Sequence, residues 1–297
     1  MSDLASPPKI IVTGATSIIG RFLLSRLVDA GYEVHAISRN YRENPGEINK
    51  KVFWYPVDIT HPEQLPGVNA QALIHLAPLW LLPPLLPVLS SLRITRVIGF
   101  GSTSLFSKVQ SADAGEKQLA ARFAAAEESI TQLGGGLEIN WTIFRPTLVY
   151  DCVHDKNIAV IARFIQRYGF FPLLGKASGL RQPIHAGDLA EACIIALNQP
   201  VTFCQTYNVS GGETLSYRQM VERIFNSLGK SARFLTIPAW LFRGAIRVIM
   251  LLSGKRNMTP EMAMRMNVDL CFDHTDATRD FGFSPRPFLP RWKDPGK

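Results

Sequence analysis

Cysteine is scarce in this chain of 297 residues: there are four, Cys152, Cys193, Cys204 and Cys271, far apart and without C-x-x-C spacing. A disulfide framework or a cysteine zinc site is therefore excluded, and reduced thiols suit a cytoplasmic protein. Charge is thin as well, at 19% of residues against 46% hydrophobic, which describes an apolar globular chain rather than a disordered one. The formal net charge is +8, yet no run of Lys and Arg with interleaved aromatics is present, so nucleic acid is not an expected partner. Nor is there an uninterrupted apolar stretch of membrane-spanning length. The most leucine-rich segment, Pro78 to Leu92, is short and broken by four prolines. No period of 20 to 50 residues repeats. The opening MSDLASPPK carries an acid and two prolines and does not read as a signal peptide.

What is present begins at once. Lys9 to Arg39 reads as strand, glycine turn, helix and second strand. Ile10 to Thr13 is β-rich, whereas Ile19, Phe22, Leu23, Leu27 and Val28 recur at helical spacing, so the period changes across Gly14 to Gly20. Such a turn binds phosphate: Gly14 permits the bend, Gly20 lets the helix pack closely, and free N–H groups with the positive helix dipole face a diphosphate. Thr16, Ser17, Ile18 and Ile19 complete the candidate cradle. Ser17 stands where a middle glycine is usual; its hydroxyl either donates to phosphate or caps the helix. The second strand ends in Ser38-Arg39 and lacks the acid that would accept from the ribose of NAD. Arg39 instead suits a 2′-phosphate, the alternative being a solvated loop cation, so NADP is the expected cofactor with NAD kept open.

Further along, VFWYPVDIT makes a third strand ending at Asp58, with Ile59 next to it as a further candidate contact; Asp58 either contacts adenine or caps the helix starting near His61-Pro62. ALIHLA, Ala72 to Ala77, is a fourth strand whose Leu76 and Ala77 are candidate cofactor contacts and whose His75 reads as a packed strand residue. Pro78 to Leu92 is core, a lid over an apolar ligand, or a dock for a membrane or partner. RVIGFGSTS is a fifth strand with hydroxyls at its carboxyl end.

TGATSIIG, the strand ending at Asp58, IHLA, FGSTS, FRPTLVY (144 to 150), RQPIHAGDLA (181 to 190), YNVSGGETLSY (207 to 217) and DATRDFGFSPRPF (276 to 288) occur in one order that resembles an extended short-chain dehydrogenase/reductase of the NAD-dependent epimerase/dehydratase branch. The resemblance covers nearly the whole chain. It implies an α/β fold with a doubly wound parallel sheet (Rossmann) and a smaller, discontinuous C-terminal substrate lobe. The expected division is residues 8–150, completed by about 183–210, for the dinucleotide, and 151–182 with 211–297 for the substrate. It also implies that Pro146 and Thr147 meet the nicotinamide end of the cofactor.

The family's chemistry rests on a Tyr-x-x-x-Lys pair one helix beyond the Ser/Thr strand. Registering the helix Gly115 to Leu133 on its AAAEE ending puts Leu119 at the tyrosine position and Phe123 at the lysine position, and no tyrosine stands between Tyr55 and Tyr150. Thr103 matches the family's Ser/Thr, and Tyr150 is the nearest remaining phenol; these two are the candidate catalytic residues, with an ordinary strand-end aromatic as the other reading of Tyr150.

In the second lobe, Asp188 is expected to cap the helix DLAEACIIAL, Ser216 to cap the helix Ser216 to Leu228, and Arg163 and Arg181 to be either substrate-phosphate anchors or surface cations. The apolar segment Pro238 to Lys255, with Arg243 and Arg247, suits either a helix in a membrane interface or one packed on the lobe. The expected activity is that of an atypical oxidoreductase or epimerase on a sugar- or lipid-like substrate, the alternative being a non-catalytic sensor or assembly subunit. The expected partners are a small molecule such as a nucleotide sugar or lipid-linked substrate, a membrane or protein through 78–92 and 238–255, or a second copy of the chain. No metal site is expected. The expected location is the cytoplasm, with peripheral attachment to a membrane left open.

Overall fold

A computed structural model describes residues 7–39, 51–238 and 264–292. The segment Pro238 to Lys255, apart from Pro238, therefore lies outside the described residues.

The chain opens with β1 (Lys9–Thr13), α1 (Gly20–Asp29) and β2 (Glu33–Ile37). Successive β1 side chains serve opposite faces: Ile10 and Val12 enter one apolar layer, Ile11 the other. Leu23 and Leu27, four apart on α1, are buried in the layer that holds Ile10 and Val12. β3 (Val52–Tyr55), β4 (Ala72–His75), α2 (Leu86–Ser91), β5 (Arg96–Phe100), α3 (Ser104–Ser107), α4 (Ala114–Gly136) and β6 (Asn140–Pro146) follow. Then come β7 (Val149–Tyr150), α5 (Ile158–Tyr168), β8 (Phe171–Leu174), β9 (Leu180–Arg181), β10 (Ile184–His185), α6 (Ala186–Leu197) and β11 (Gln205–Val209). The described chain closes with β12 (Leu215–Ser216), α7 (Tyr217–Ser227), β13 (Phe234–Ile237) and α8 (Thr275–Phe281).

Seven strands form one parallel sheet in the order β11-β6-β5-β4-β1-β2-β3, the doubly wound arrangement expected from the sequence. Buried residues of α1, α6 and α8 cover one face, and those of α4 and the leucine-rich segment cover the other. The strand order reverses between β1 and β4, so the crevice for a ligand lies outside their carboxyl ends.

Of the three readings of Pro78 to Leu92, core packing is the one observed. Leu79, Leu82, Leu85, Leu86 and Leu89 are buried against the sheet, Leu79 and Leu82 resting on β5 where Gly99 leaves room. Its prolines start short 3₁₀ turns and α2, positions where the missing N–H costs nothing. The segment is thus withdrawn as a docking surface for a membrane or partner.

His75 is a packed strand residue, as its apolar neighbours implied. It is fully buried, and both ring nitrogens are used: Nδ1 lies 2.8 Å from Thr13 Oγ1 and Nε2 3.1 Å from the Pro78 carbonyl. A carbonyl can only accept, so Nε2 carries the proton and Nδ1 accepts from Thr13. Burial pushes the imidazole pKa down to about 4.

On the far side of the sheet, Glu127 of α4 is paired with Arg145 of β6, its carboxylate accepting from Nε at 2.9 and 3.1 Å and from Nη2. Gly101 makes room for the pair, since a Cβ there would stand 2.8 Å from Glu127 Oε1. The ion pair sets the register of α4 against the sheet, and with it the positions of Phe123 and Leu119, one and two turns earlier.

Apart from the two layers on the sheet, a third apolar cluster gathers Tyr150, Ile158, Ile161, Ile165, Leu173, Met220, Ile224, Phe225 and Phe288, nearly all from the stretches expected to form the second lobe. Ser216 caps α7 in a reciprocal capping box with Gln219, as expected. Asp188 does not cap α6. His185 does, accepting from the Gly187 amide, because Asp188 already sits in the first turn and is drawn to Arg286, whose Nε lies 2.7 Å away.

Two outcomes follow. His75 is neutral in the folded protein and protonates in the unfolded chain below pH 6.5, so stability is lost as pH falls from about 6.5 toward 4, by about 3 kcal/mol for this residue. In urea titrations at pH 7 and 5, His75→Gln should flatten that dependence; an unchanged slope would refute the assignment. Glu127→Ala should cost about 3 kcal/mol by stranding Arg145. A loss under about 1 kcal/mol would show that the pair does not hold α4.

Candidate functional site

The carboxyl edge of the sheet gathers most of the residues singled out in the sequence. Gly14 leaves β1 with φ +66°, and a Cβ on it would stand 2.6 Å from the Ala77 amide nitrogen and 2.8 Å from the Leu76 carbonyl carbon. The first turn and the end of β4 therefore touch backbone to backbone, which only glycine permits. At Gly20 a Cβ would meet the Ala15 carbonyl oxygen, so the helix start lies directly on the turn.

Ser17 Oγ accepts from the Gly20 amide at 3.2 Å, so the hydroxyl caps the helix and keeps its hydrogen for an outside acceptor. Among the described residues, the main-chain amides of Ile18 and Ile19 meet no acceptor, as the opening of a helix leaves them. Ile19 itself is buried in the core, so its side chain is not available to a ligand. Thr16 Oγ1 lies 3.0 Å from Ser38 Oγ and ties the turn to the end of β2. This cradle fits a diphosphate: close-approaching backbone, unused amides and a hydroxyl.

Beyond β2, the exposed Arg39 guanidinium stands 3.9 Å from Asp58 Oδ2. Asp58 Oδ1 takes both the amide and the hydroxyl of Thr60, at 3.0 and 2.9 Å, and these bonds hold its carboxyl below the usual carboxylate range. Asp58 thus stabilises its own turn instead of the helix after His61-Pro62. Ile59 is buried beneath it. Leu76 donates its amide to the Thr13 carbonyl, continuing the β1–β4 ladder to Ala77.

Thr103 follows β5 and is largely buried, with its hydroxyl donating to the Pro146 carbonyl at 3.1 Å. What it offers a ligand is an acceptor oxygen. Thr147 is held by the Val209 and Gln182 carbonyls, so Pro146 and Thr147 lie at the same strand edge as Thr103.

Tyr150 does not join them. It is 1% exposed, wedged edge-on between His185 and Phe288 in the second-lobe core, and burial raises its pKa. The reading as a proton donor is corrected to that of a core aromatic: one step past the sheet edge, β7 turns its side chain inward. Arg181 is corrected likewise. Its guanidinium is buried against Tyr217 and donates to the carbonyls of Leu180, Val268 and Arg265, leaving no fork for a phosphate.

Leu119 and Phe123 share one face of α4, both half-buried. Phe123 meets Trp80 edge to face at 5.3 Å, and the Arg122 guanidinium lies 4.0 Å over the same indole. Since Trp80 stands three residues past Ala77, α4 closes on the β4 exit through an apolar contact. Trp80, Ser38 and the Glu127–Arg145 pair were not singled out in the sequence. Glu127, four residues after Phe123, carried a readable signal; Trp80, among leucines, did not. The described residues include no group of three or more His, Cys, Asp or Glu that could hold a metal, and no helix among them is long and apolar enough to cross a membrane.

Comparison with known proteins agrees with this architecture. Residues 10–79 match the model of the NAD dependent epimerase/dehydratase family. YbjS of Escherichia coli (strain K12) is 27% identical, with 93% of each chain aligned. The structure of the epimerase Mth375 from Methanothermobacter thermautotrophicus superposes with a TM-score of 0.75 at 13% identity, covering 96% of this chain and 90% of that one. MoeE5 in complex with UDP-glucuronic acid and NAD superposes with a TM-score of 0.71 at 18% identity, covering 95% of each. The chain thus has the Rossmann-like fold found in epimerase structures, and its first four strands carry the sequence pattern of the NAD dependent epimerase/dehydratase family.

Proposed function

We propose that the chain is an atypical extended short-chain dehydrogenase/reductase that binds NADP(H) in its first βα turn and acts as an oxidoreductase or epimerase on a sugar- or lipid-like substrate. The observation that carries this reading is the cradle itself: Gly14 at positive φ against Ala77, with the Ile18 and Ile19 amides unused and Ser17 free to donate. A nicotinamide bound there would supply the hydride chemistry. The protein's own residues bind and orient: the turn holds the diphosphate, Arg39 faces the 2′-phosphate in place of Asp58, and Thr103 accepts from a substrate hydroxyl. The likeness to MoeE5, which is described with a nucleotide sugar and NAD, supports a nucleotide-linked sugar as one substrate class.

A second reading is favoured by one specific feature. Leu119 and Phe123 bring no proton-carrying group to the face of α4 where the resemblance places the catalytic pair, and Phe123 is spent on Trp80. A dinucleotide-binding sensor or assembly subunit needs no such group.

Nucleotide binding tests what the two readings share, and turnover separates them. NADPH should quench the intrinsic fluorescence and raise the melting temperature. Arg39→Ala should weaken NADPH binding about tenfold while leaving NADH unchanged, because one charge-assisted bond is lost. Equal affinity for both nucleotides in the parent protein would overturn the NADP preference. With a panel of nucleotide sugars and ketones, turnover by the parent supports the enzyme; tight NADPH binding with no turnover supports the sensor. Leu119→Tyr combined with Phe123→Lys should raise any measurable rate about 100-fold if only the proton relay is missing.

A further inference from the structure

The positive charge of this protein is unevenly placed. Residues 156 to 187 and 223 to 260 contain no Asp or Glu, yet they hold 12 of the 32 Lys and Arg. Their combined charge is +12, and the rest of the chain, with 20 basic against 24 acidic residues, carries −4. Where described, the fold brings these two stretches together. β8 pairs in parallel with β13, Phe171 opposite Phe234, and the Phe171 amide donates to the Arg233 carbonyl at 2.9 Å. Lys230 reaches the Gln166 carbonyl at 3.2 Å, closing the carboxyl end of α5.

α5 has two distinct faces. Ile158, Ala159, Ile161, Ala162 and Ile165 are buried in the lobe. Val160, Arg163, Arg167 and Tyr168 recur at the spacing of a single outward stripe, in which Val160 and Tyr168 are 46% and 53% exposed, and the half-buried Phe164 anchors the stripe to the core at Phe171. Phe164 contacts Tyr168 at 4.6 Å and Phe170 at 5.8 Å, and the Arg167 guanidinium lies 5.5 Å from the Tyr168 ring. The acids packed nearby are already occupied: Asp155 is buried and accepts from the amides of Asn157 and Ala159, and Glu222 is bound to Arg218.

We propose that this flank of the second lobe, the outward stripe of α5 beside the Arg233 end of β13, docks on an anionic lipid bilayer. Cations alone would suit any polyanion. Here they alternate with exposed aliphatic and aromatic side chains, and rings with one polar edge settle at the boundary between headgroups and acyl chains while Arg stays with the lipid phosphates. The exposed Arg163, Arg167 and Arg233 supply the complement to the anionic leaflet. The inference does not depend on the reading of the nucleotide site, and NADPH binding by every variant gives a separate readout of that site.

The test is flotation of the full chain with vesicles of phosphatidylcholine alone or with about one-third phosphatidylglycerol. Each cation near an anionic surface is worth about fivefold in affinity. The parent should therefore float with the anionic vesicles alone and release at high salt, and Arg163→Ala with Arg167→Ala should bind about 25-fold more weakly. Arg93→Ala with Lys117→Ala, two exposed cations away from the flank, should float like the parent, with thermal melts confirming that both variants fold. Flotation with neutral vesicles to the same degree, no flotation at all, or a folded α5 variant that floats like the parent would overturn the proposal. Capture by a soluble acidic polypeptide without vesicle binding would also overturn it, pointing to an acidic protein partner.

Discussion

The backbone contact between Gly14 and Ala77 is the constraint on which the rest is arranged. Adjacent parallel strands β1 and β4 leave the sheet at the point where the winding reverses, and their exits must separate enough to admit a ligand without losing each other. A turn at positive φ and a residue with no Cβ meet both needs. Everything else at the carboxyl edge is placed relative to that contact: Ser38 through Thr16, Leu76 through the extended ladder, and the amides of Ile18 and Ile19 through the cap that Ser17 supplies.

Across the sheet, a different principle holds the opposite wall. α4 is fixed by a carboxylate–guanidinium pair below and an indole–phenyl contact above. Both use side chains, so the wall admits chemical variation that the glycine turn does not. In this chain Leu119 and Phe123 share one half-buried face of that helix, and Phe123 packs on the core through Trp80.

Much of this was legible in the order of the residues. The alternation through Ile10, Ile11 and Val12, the helical spacing of Leu23 and Leu27, and the glycines that bracket them specify a strand, a turn and a helix by local rules. A parallel sheet follows from repeating them. His75 could be placed because a strand flanked by apolar neighbours is buried. Less legible were positions where composition leaves several outcomes open. Proline-broken leucines read equally as lid or core, and Gly99, opposite them on β5, is what seats Leu79 and Leu82 inward. The facing of Tyr150 depends on how β7 bends away from the sheet, and two of the carbonyls that engage Arg181 come from residues more than eighty positions distant. Neither is a local property. Asp188 misled for a related reason: a good capping residue one turn too late is claimed by Arg286 from the chain's other end.

Arg96 illustrates what such long-range partners permit. Its guanidinium is buried at the edge of β5, where it donates to the carbonyls of Ala196, Leu197 and Asn140 and to the Thr202 hydroxyl, and lies 4.6 Å over the Phe203 ring. All but one of these acceptors belong to the main chain, which every amino acid supplies. One cation thus gathers the loose carbonyl ends of α6 and the neighbouring strand, so its loss would strand several acceptors at once, whereas exchanging a residue that lends only its carbonyl leaves that bond in place.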